Sequence, residues 1–263
     1  MSDLVTLLDA AHAAVSADPE NEALRLRFFE RLADGEMVML LEHEAQGEQL
    51  EPKVFDLEDG PIVLVFDCEE RLATFTGGIA PYAALPGRVI ARLLKGQGIG
   101  LGVNLGVAPS SMLLPPEAMD WLAETLEETP AEVEAMPAEF HAPSVPPAVI
   151  AALDAKLARA GGLATSAILA GVVYSDGRRG HLLAILDASE GADGPMARAM
   201  GEALVFSGVE AGELDVVFLA AASAAAKAMA RVGLRFDLPI VAAPAPEARP
   251  APGMDPSRPP RLR

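Results

Sequence analysis

Residues 62–75 read IVLVFDCEERLATF, and this stretch decides the architecture of the first half of the chain. The apolar run 62–66 is bounded by Gly- and Asp-containing turns, which predicts a buried strand. Residues 69–75 follow directly and predict a short helix. This order indicates a fold in which helices pack on a β-sheet.

The sequence on either side supplies the other elements of this sheet and its helices. Short apolar runs at 37–41, 53–57, 99–104 and 112–114 predict neighbouring strands. Apolar residues at helical spacing predict helices over four segments: 3–16, 24–32, 86–94 and 115–126.

The net charge of the chain changes abruptly along the sequence. Residues 1–140 contain 26 acidic and 8 basic residues and so carry the whole net charge of −18, whereas residues 141–263 contain 12 of each. Because the change falls at a Pro-rich stretch, the sequence predicts two domains with different surfaces. We predict an acidic domain at 1–129, a neutral domain at 147–243 and a disordered tail rich in Pro and Arg at 244–263. The Pro-rich stretch between the domains, 130–146, is interpreted either as a linker or as an extended segment lying on one domain.

The second half alternates between helical and strand patterns. Asp176-Gly177 lies between two apolar runs and predicts a hairpin. The predicted helices cover 147–160, 195–208 and 222–232, and the predicted strands cover 166–174, 181–187 and 214–220. We therefore expect an α+β protein of two domains, each with a mixed β-sheet packed with helices.

Composition excludes several classes of partner and location. An acidic surface repels nucleic acid and anionic membranes and favours basic partners. The longest apolar runs, such as 216–222, are shorter than the ~20 residues of a membrane helix. The single cysteine, Cys68, precludes an internal disulfide, and residues 1–15 contain no basic leader, so we expect a cytoplasmic protein.

The order of motifs over residues 20–127 resembles the N-terminal domain of the SseB family, which is named for a serine-sensitivity phenotype. The resemblance rests on 63–75 (VLVFDCEERLATF), 100–106 (GLGVNLG) and 114–122 (LPPEAMDWL). The family pattern has a strand ending in "pvFTseerL..F", a strand ending in "lNpg" and a closing "l.peei..L". Residues 145–238 are loosely similar to the smaller C-terminal domain of the family.

This sequence departs from the family pattern at two turns. Phe66-Asp67-Cys68 stands where the family has Phe-Thr-Ser, and Asn104-Leu105-Gly106 stands where it has Asn-Pro-Gly. The resemblance implies the fold and a link to serine tolerance. It implies no catalytic activity, because the family offers no catalytic residues to match.

A run of alternating glycines is the first candidate binding feature. Gly96, Gly98, Gly100 and Gly102 alternate with larger residues, and a third glycine of a dinucleotide fingerprint would fall at Val103. The alternation predicts a strand with one glycine-lined face, which either a helix covers closely or a ligand approaches. The ligand hypothesis names four contact residues: Gly98, Gly100, Gly102 and Asn104.

A dense acidic run is the second candidate feature. Glu124, Glu127, Glu128 and Glu132 lie on and after the helix that begins near Glu117. The run is interpreted either as a solvated helix face or as a docking surface for a basic protein partner. The arginines of the tail could take the place of that partner within the same chain.

The usual signatures of catalysis and metal binding are not found in the sequence. Cys68 stands at a predicted helix start beside two glutamates, which favours an inert or capping residue over a reactive thiol. The four histidines lack metal-ligand spacing, and neither a Gly-x-Ser-x-Gly elbow nor a phosphate-binding loop occurs. We expect no metal ion and no cofactor.

Two functional hypotheses follow. The first is a non-enzymatic binding or regulatory protein of the SseB type with a protein partner, neither nucleic acid nor membrane. The alternative is a small-molecule sensor or enzyme of amino-acid metabolism, which would place a pocket near residues 98–104 and Tyr82. The sequence makes no prediction of oligomeric state.

Overall fold

The computed structural model describes residues 5–45, 47, 49–58, 60–128, 136–208 and 214–240. The helices are α1 (Leu7–Ala17), α2 (Glu22–Asp34), α3 (Glu69–Thr76), α4 (Gly87–Leu94), α5 (Pro116–Glu127), α6 (Pro147–Leu157), α7 (Asp193–Ser207) and α8 (Ala224–Met229). The strands are β1 (Glu36–Leu40), β2 (Val54–Leu57), β3 (Gly60–Phe66), β4 (Tyr82–Pro86), β5 (Gly100–Val103), β6 (Met112–Leu114), β7 (Pro137–His141), β8 (Ser166–Tyr174), β9 (Arg179–Leu186), β10 (Leu214–Leu219) and β11 (Leu234–Asp237). These elements confirm the predicted α+β class with two sheet-containing parts.

The first sheet has the strand order β4-β1-β3-β5-β6, and β2 pairs with β3 beside β1. The β3–β5 pair is parallel, with Val65 opposite Val103, and the other pairs are antiparallel. The carboxyl ends of β3 and β5 therefore meet at one edge of the sheet. In α/β sheets this edge is where polar side chains gather.

Both faces of the first sheet are buried, because successive residues of a strand point to opposite sides. Met37, Met39 and Val65 lie in a core covered by α1, α2, α4 and α5. Val38 and Leu64 lie in a second core, against Leu72 of α3. The apolar run 62–66 is therefore continuous in sequence because both of its faces are covered.

The second sheet has the strand order β10-β9-β8-β11. β7 and β11 pair with the same edge of β8, β11 with residues 166–169 and β7 with residues 171–174. β8 and β9 form the predicted antiparallel hairpin, and β10 runs parallel to β9. One face packs against α6 and α7 through Leu153 and Met200. The other face packs against α8 through Met229.

The described part of the Pro-rich segment, residues 136–146, contains a strand. Residues 137–141 form β7 and pair with β8, which fits the alternative of an extended segment lying on one domain rather than a free linker. Prolines at an edge strand leave the neighbouring ladder intact, because the missing N–H faces away from it. Residues 129–135, the end of the predicted second domain at 241–243, and the predicted tail 244–263 lie outside the described residues.

The helix layers of the two halves pack directly on each other. Phe206 of α7 is 2% exposed and lies in the core of the first half. A Cβ added to Gly208, just after α7, would lie 2.6 Å from the Cα of Ala23 in α2. The second half therefore supplies a buried side chain to the core of the first.

No helix among the described residues combines the length and apolar character needed to span a bilayer.

Candidate functional site

The carboxyl ends of β3 and β5 carry a buried polar network. Asn104 follows β5 in the left-handed region (φ 49°), which Asn tolerates better than most residues. Its Oδ1 accepts a hydrogen bond from the backbone N of Asp67 at 3.1 Å, and its Nδ2 donates to Ser110 Oγ at 2.9 Å. Both amide atoms of Asn104 are thus committed to the protein, which argues against the predicted role as a ligand contact.

The network continues into α1 and α3. Ser110 Oγ donates to Asp9 Oδ1 at 2.5 Å, and the Arg71 guanidinium lies between the carboxylates of Asp9 and Asp67. The Thr6 hydroxyl donates to Asp67 Oδ2 at 2.6 Å and also caps α1 in a reciprocal capping box with Asp9. These contacts fasten the start of α1 to the end of the sheet, which is a structural role.

The position of Asp9 makes stability depend on pH. Burial alone would raise the pKa of Asp9, but hydrogen bonds from Arg71, Ser110 and the Thr6 backbone hold that pKa well below its usual range. A carboxyl group with a lowered pKa in the folded state stabilises the protein above its unfolded pKa. This stabilisation is lost as the pH falls toward the folded value.

Asp9→Asn is therefore expected to lower the free energy of unfolding at neutral pH and to flatten its decline below about pH 4. Urea unfolding across an acidic pH series measures both effects. Asp56→Asn, at an exposed position of β2, is the matched control and should retain the wild-type slope. A wild-type acid slope in Asp9→Asn would contradict this assignment.

The glycine run is split between a turn and a strand. Gly96 and Gly98 adopt positive φ in the turn before β5, so the predicted strand face does not extend to them. A Cβ at Gly100 would lie 2.7 Å from the carbonyl oxygen of Leu114, and one at Gly102 would lie 2.6 Å from Leu64. This close contact, with neighbouring strands and side chains rather than a helix, fills the space that a ligand would need.

Tyr82 does not approach the glycine run. It lies on β4, and β1 and β3 separate β4 from β5 in the sheet. A hydrogen bond with Glu69 raises the pKa of the Tyr82 hydroxyl. The sheet therefore does not bring Tyr82 and residues 98–104 together.

The predicted acidic surface does form one exposed helix face. We call the "α5 surface" the set of residues at helical spacing along the outside of α5: Glu117, Asp120, Trp121, Glu124, Glu127 and Glu128. Trp121, at its centre, is 37% exposed. Glu132, the fourth predicted contact, lies outside the described residues.

The α5 surface adjoins the glycine turn, which the sequence did not indicate. The backbone N of Gly96 donates to Asp120 Oδ1 at 2.7 Å, and Lys95 Nζ lies 2.7 Å from Glu127 Oε2. The contact with Glu127 raises the pKa of Lys95. Lys95 offsets only part of the negative charge, so the surface remains acidic.

Trp121 also lies at the junction of the two halves. Its ring centroid is 5.1 Å from that of Phe29 and 6.4 Å from that of Phe206, both in edge-to-face geometry. The indole therefore packs against two core rings, while part of the side chain is exposed on the helix face that also carries the carboxylates. This arrangement presents an aromatic surface without loss of side-chain freedom on binding.

A buried charge cluster joins the halves and was missed from the sequence. Lys156 Nζ of α6 lies 2.8 Å from Asp34 Oδ2 and 3.8 Å from Glu30 Oε1, both on α2, and 3.1 Å from Glu202 Oε2 on α7. Arg88 of α4 pairs with both Asp34 and Glu202. The cluster therefore contains carboxylates and cations from both halves.

The surroundings shift two carboxyl groups of the cluster in opposite directions. Burial raises the pKa of Glu30, and the attraction of Lys156 only partly offsets this. Burial acts in the same sense on Asp34, but Lys156 and Arg88 together hold the pKa of Asp34 below its usual value. The burial of Lys156 could have been predicted from the sequence, because Lys156 lies at helical spacing on the apolar face of α6 with Val149 and Leu153.

Cys68 begins α3 as its N-cap but makes no side-chain capping hydrogen bond. Burial and the neighbouring Glu70 raise the pKa of its thiol. The thiol form is therefore favoured near neutral pH, which supports the unreactive interpretation.

The described part of the chain contains no group of three or more His, Cys, Asp or Glu side chains that could hold a metal ion. Comparison of the chain with protein-family models, with curated proteins and with solved structures finds no match.

Proposed function

We propose that this protein is a non-enzymatic, cytoplasmic binding or regulatory protein of the SseB type whose α5 surface binds a basic segment of a partner protein. The family assignment and the link to serine tolerance rest on the sequence resemblance. The partner assignment rests on the structure of α5 and its surroundings.

The proposal rests on Trp121, a partly exposed tryptophan that packs against core rings and shares a helix face with several carboxylates. Trp121 is surrounded along one helix face by Glu117, Asp120, Glu124 and Glu128. Arg and Lys side chains bind such a surface in two ways, because the cation lies over the indole face and pairs with the carboxylates. The excess negative charge also attracts a basic partner over a distance of about one Debye length.

The alternative, a small-molecule sensor or amino-acid enzyme, receives less support from the same geometry. Asn104 is committed to Asp67 and Ser110, and β-carbons at Gly100 and Gly102 would contact their neighbours. Tyr82 lies on the far side of the sheet order from β5. The residues expected to line a ligand site therefore either contact other parts of the protein or lie apart from one another.

The single tryptophan of the chain provides a direct test. Titration with a synthetic peptide of alternating Arg and Ala should change the emission of Trp121, and the apparent affinity should fall steeply as salt is added. The double variant Glu124→Gln, Glu128→Gln should bind about tenfold more weakly, since two carboxylates that face the peptide are neutralised. The measurement is intrinsic fluorescence at low and high ionic strength.

A second double variant controls for net charge. Asp56→Asn with Glu58→Gln removes two exposed carboxylates from the region of β2 and should leave peptide affinity unchanged. Equal weakening in both double variants, or no emission change at all, would contradict the proposal. Stabilisation by serine in a thermal-shift assay without any response to the peptide would favour the small-molecule sensor instead.

A further inference from the structure

β10 is an edge strand of the second sheet, and within the described residues its side away from β9 is open. Among the described strands, β10 pairs with β9 alone and ends the strand order. All six of its residues are half-buried, as expected for a strand at the margin of a core. Its unpaired main-chain groups can accept another strand.

Four other edge strands of the two sheets carry features that block such pairing. β4 ends in Pro86, and β6 has three residues and is followed by Pro115. β7 begins with Pro137 and contains a register shift. β11 carries the exposed ion pair of Arg235 and Asp237.

β10 has none of these features. Its sequence, LDVVFL, contains neither Pro nor Gly, and its one charged residue is Asp215. The hydroxyl of Tyr174 donates a hydrogen bond to the Asp215 carboxylate, which holds that side chain against the face of the sheet. Asp215 therefore does not prevent pairing at this edge as a charge that projects into solvent would.

Charge favours a second copy of this chain as the strand that pairs there. Residues 141–263 contain equal numbers of acidic and basic residues, so two copies can meet at this half without the repulsion of their acidic halves. In antiparallel pairing centred on Val217, Asp215 of one copy lies opposite Leu219 of the other. No like charges are brought face to face.

The two faces of β10 also suit self-pairing. Val216 and Phe218 pack toward the core under α6 and α7, whereas Val217 and Leu219 pack toward the core under α8. An antiparallel two-fold axis through the sheet keeps each face on its own side. Apolar margins of the same kind therefore meet across the junction.

We propose that β10 pairs antiparallel with β10 of a second copy, joining two five-stranded sheets into one continuous sheet in a symmetric dimer. This interaction surface is separate from the α5 surface and does not depend on the proposed partner binding.

The full-length chain tests this proposal in two ways. Sedimentation velocity across a wide range of protein concentration should show the mass doubling from monomer to dimer. Hydrogen–deuterium exchange of residues 214–219 should slow by about tenfold or more between the dilute and the concentrated protein. A monomer at every concentration, or exchange in β10 that does not change with concentration, would overturn the proposal.

A pair of variants locates the interface. Val217→Lys brings two positive charges opposite each other at the centre of the pairing and should keep the protein monomeric, with an unchanged circular dichroism spectrum. Leu234→Lys adds the same charge to the already protected β11 edge and should leave the dimer intact. A dimer that persists in a folded Val217→Lys protein would exclude β10 as the contact. If that variant fails to fold, the concentration dependence of exchange in residues 214–219 of the wild-type protein tests whether β10 forms the interface.

Discussion

Replacing Lys156 with alanine is expected to lower the free energy of unfolding by about 3–5 kcal/mol. The side chain of Lys156 is 6% exposed and lies among the carboxylates of Glu30, Asp34 and Glu202. Removing the ammonium leaves these acidic groups buried with less compensating charge, and this imbalance is the main cost. Chemical denaturation followed by circular dichroism measures the loss.

Arg159→Ala is the matched control for Lys156→Ala. Arg159 pairs with the same carboxylate of Asp34 at 3.0 Å, but its side chain is 50% exposed. Water screens such a pair, so its removal should cost at most about 1 kcal/mol. Equal effects of the two substitutions would show that the buried cluster does not hold the halves together.

Phe206→Ala should destabilise the protein by a similar amount, about 3–5 kcal/mol, because it empties a large buried site. Phe206 belongs to α7 of the second half but lies in the core of the first half, 6.4 Å from the ring of Trp121. Loss of this ring should also shift the emission of Trp121. Both halves should unfold in one transition, since each contributes to the other's packing.

Val205→Ala is the neighbouring control, because Val205 of α7 is 40% exposed. Its effect on the free energy of unfolding should stay within about 0.5 kcal/mol, and the emission of Trp121 should not change. Two separate transitions in the wild-type protein, or a small effect of Phe206→Ala, would contradict a shared core.

Local pattern was sufficient to predict the central strands and most helices. The run 62–66 is apolar on both faces because both faces are covered, and it forms β3 as predicted. The turn at Asp176-Gly177 joins β8 and β9 as predicted. These features depend on residues that are close in sequence, so their signals survive without knowledge of the tertiary structure.

Edge strands were harder to predict. β4 has only four apolar residues before Pro86, and β11 contains Arg235 and Asp237, so neither shows a long apolar run. β7 was hidden by its prolines, which indicate a linker when the pairing partner is unknown. Their pairing with β1 and β8 supplies the stabilisation that their own sequences do not reveal.

The candidate sites depended on contacts across long distances in sequence. Lys156 joins Asp34, Glu30 and Glu202, and no local pattern links these positions. The acidic helix face was predicted from spacing alone. Its contact with the turn at Gly96 and the placement of Trp121 against Phe206 required the tertiary structure.

Hydrogen–deuterium exchange of the full chain with and without the Arg/Ala peptide shows which residues the peptide covers. Peptide binding at the α5 surface should slow exchange in α5, residues 116–127, and in the adjoining turn at 95–98. This protection should be lost in the Glu124→Gln, Glu128→Gln variant. Protection elsewhere with α5 unchanged, or no protection at peptide concentrations that saturate the fluorescence response, would contradict binding at the α5 surface.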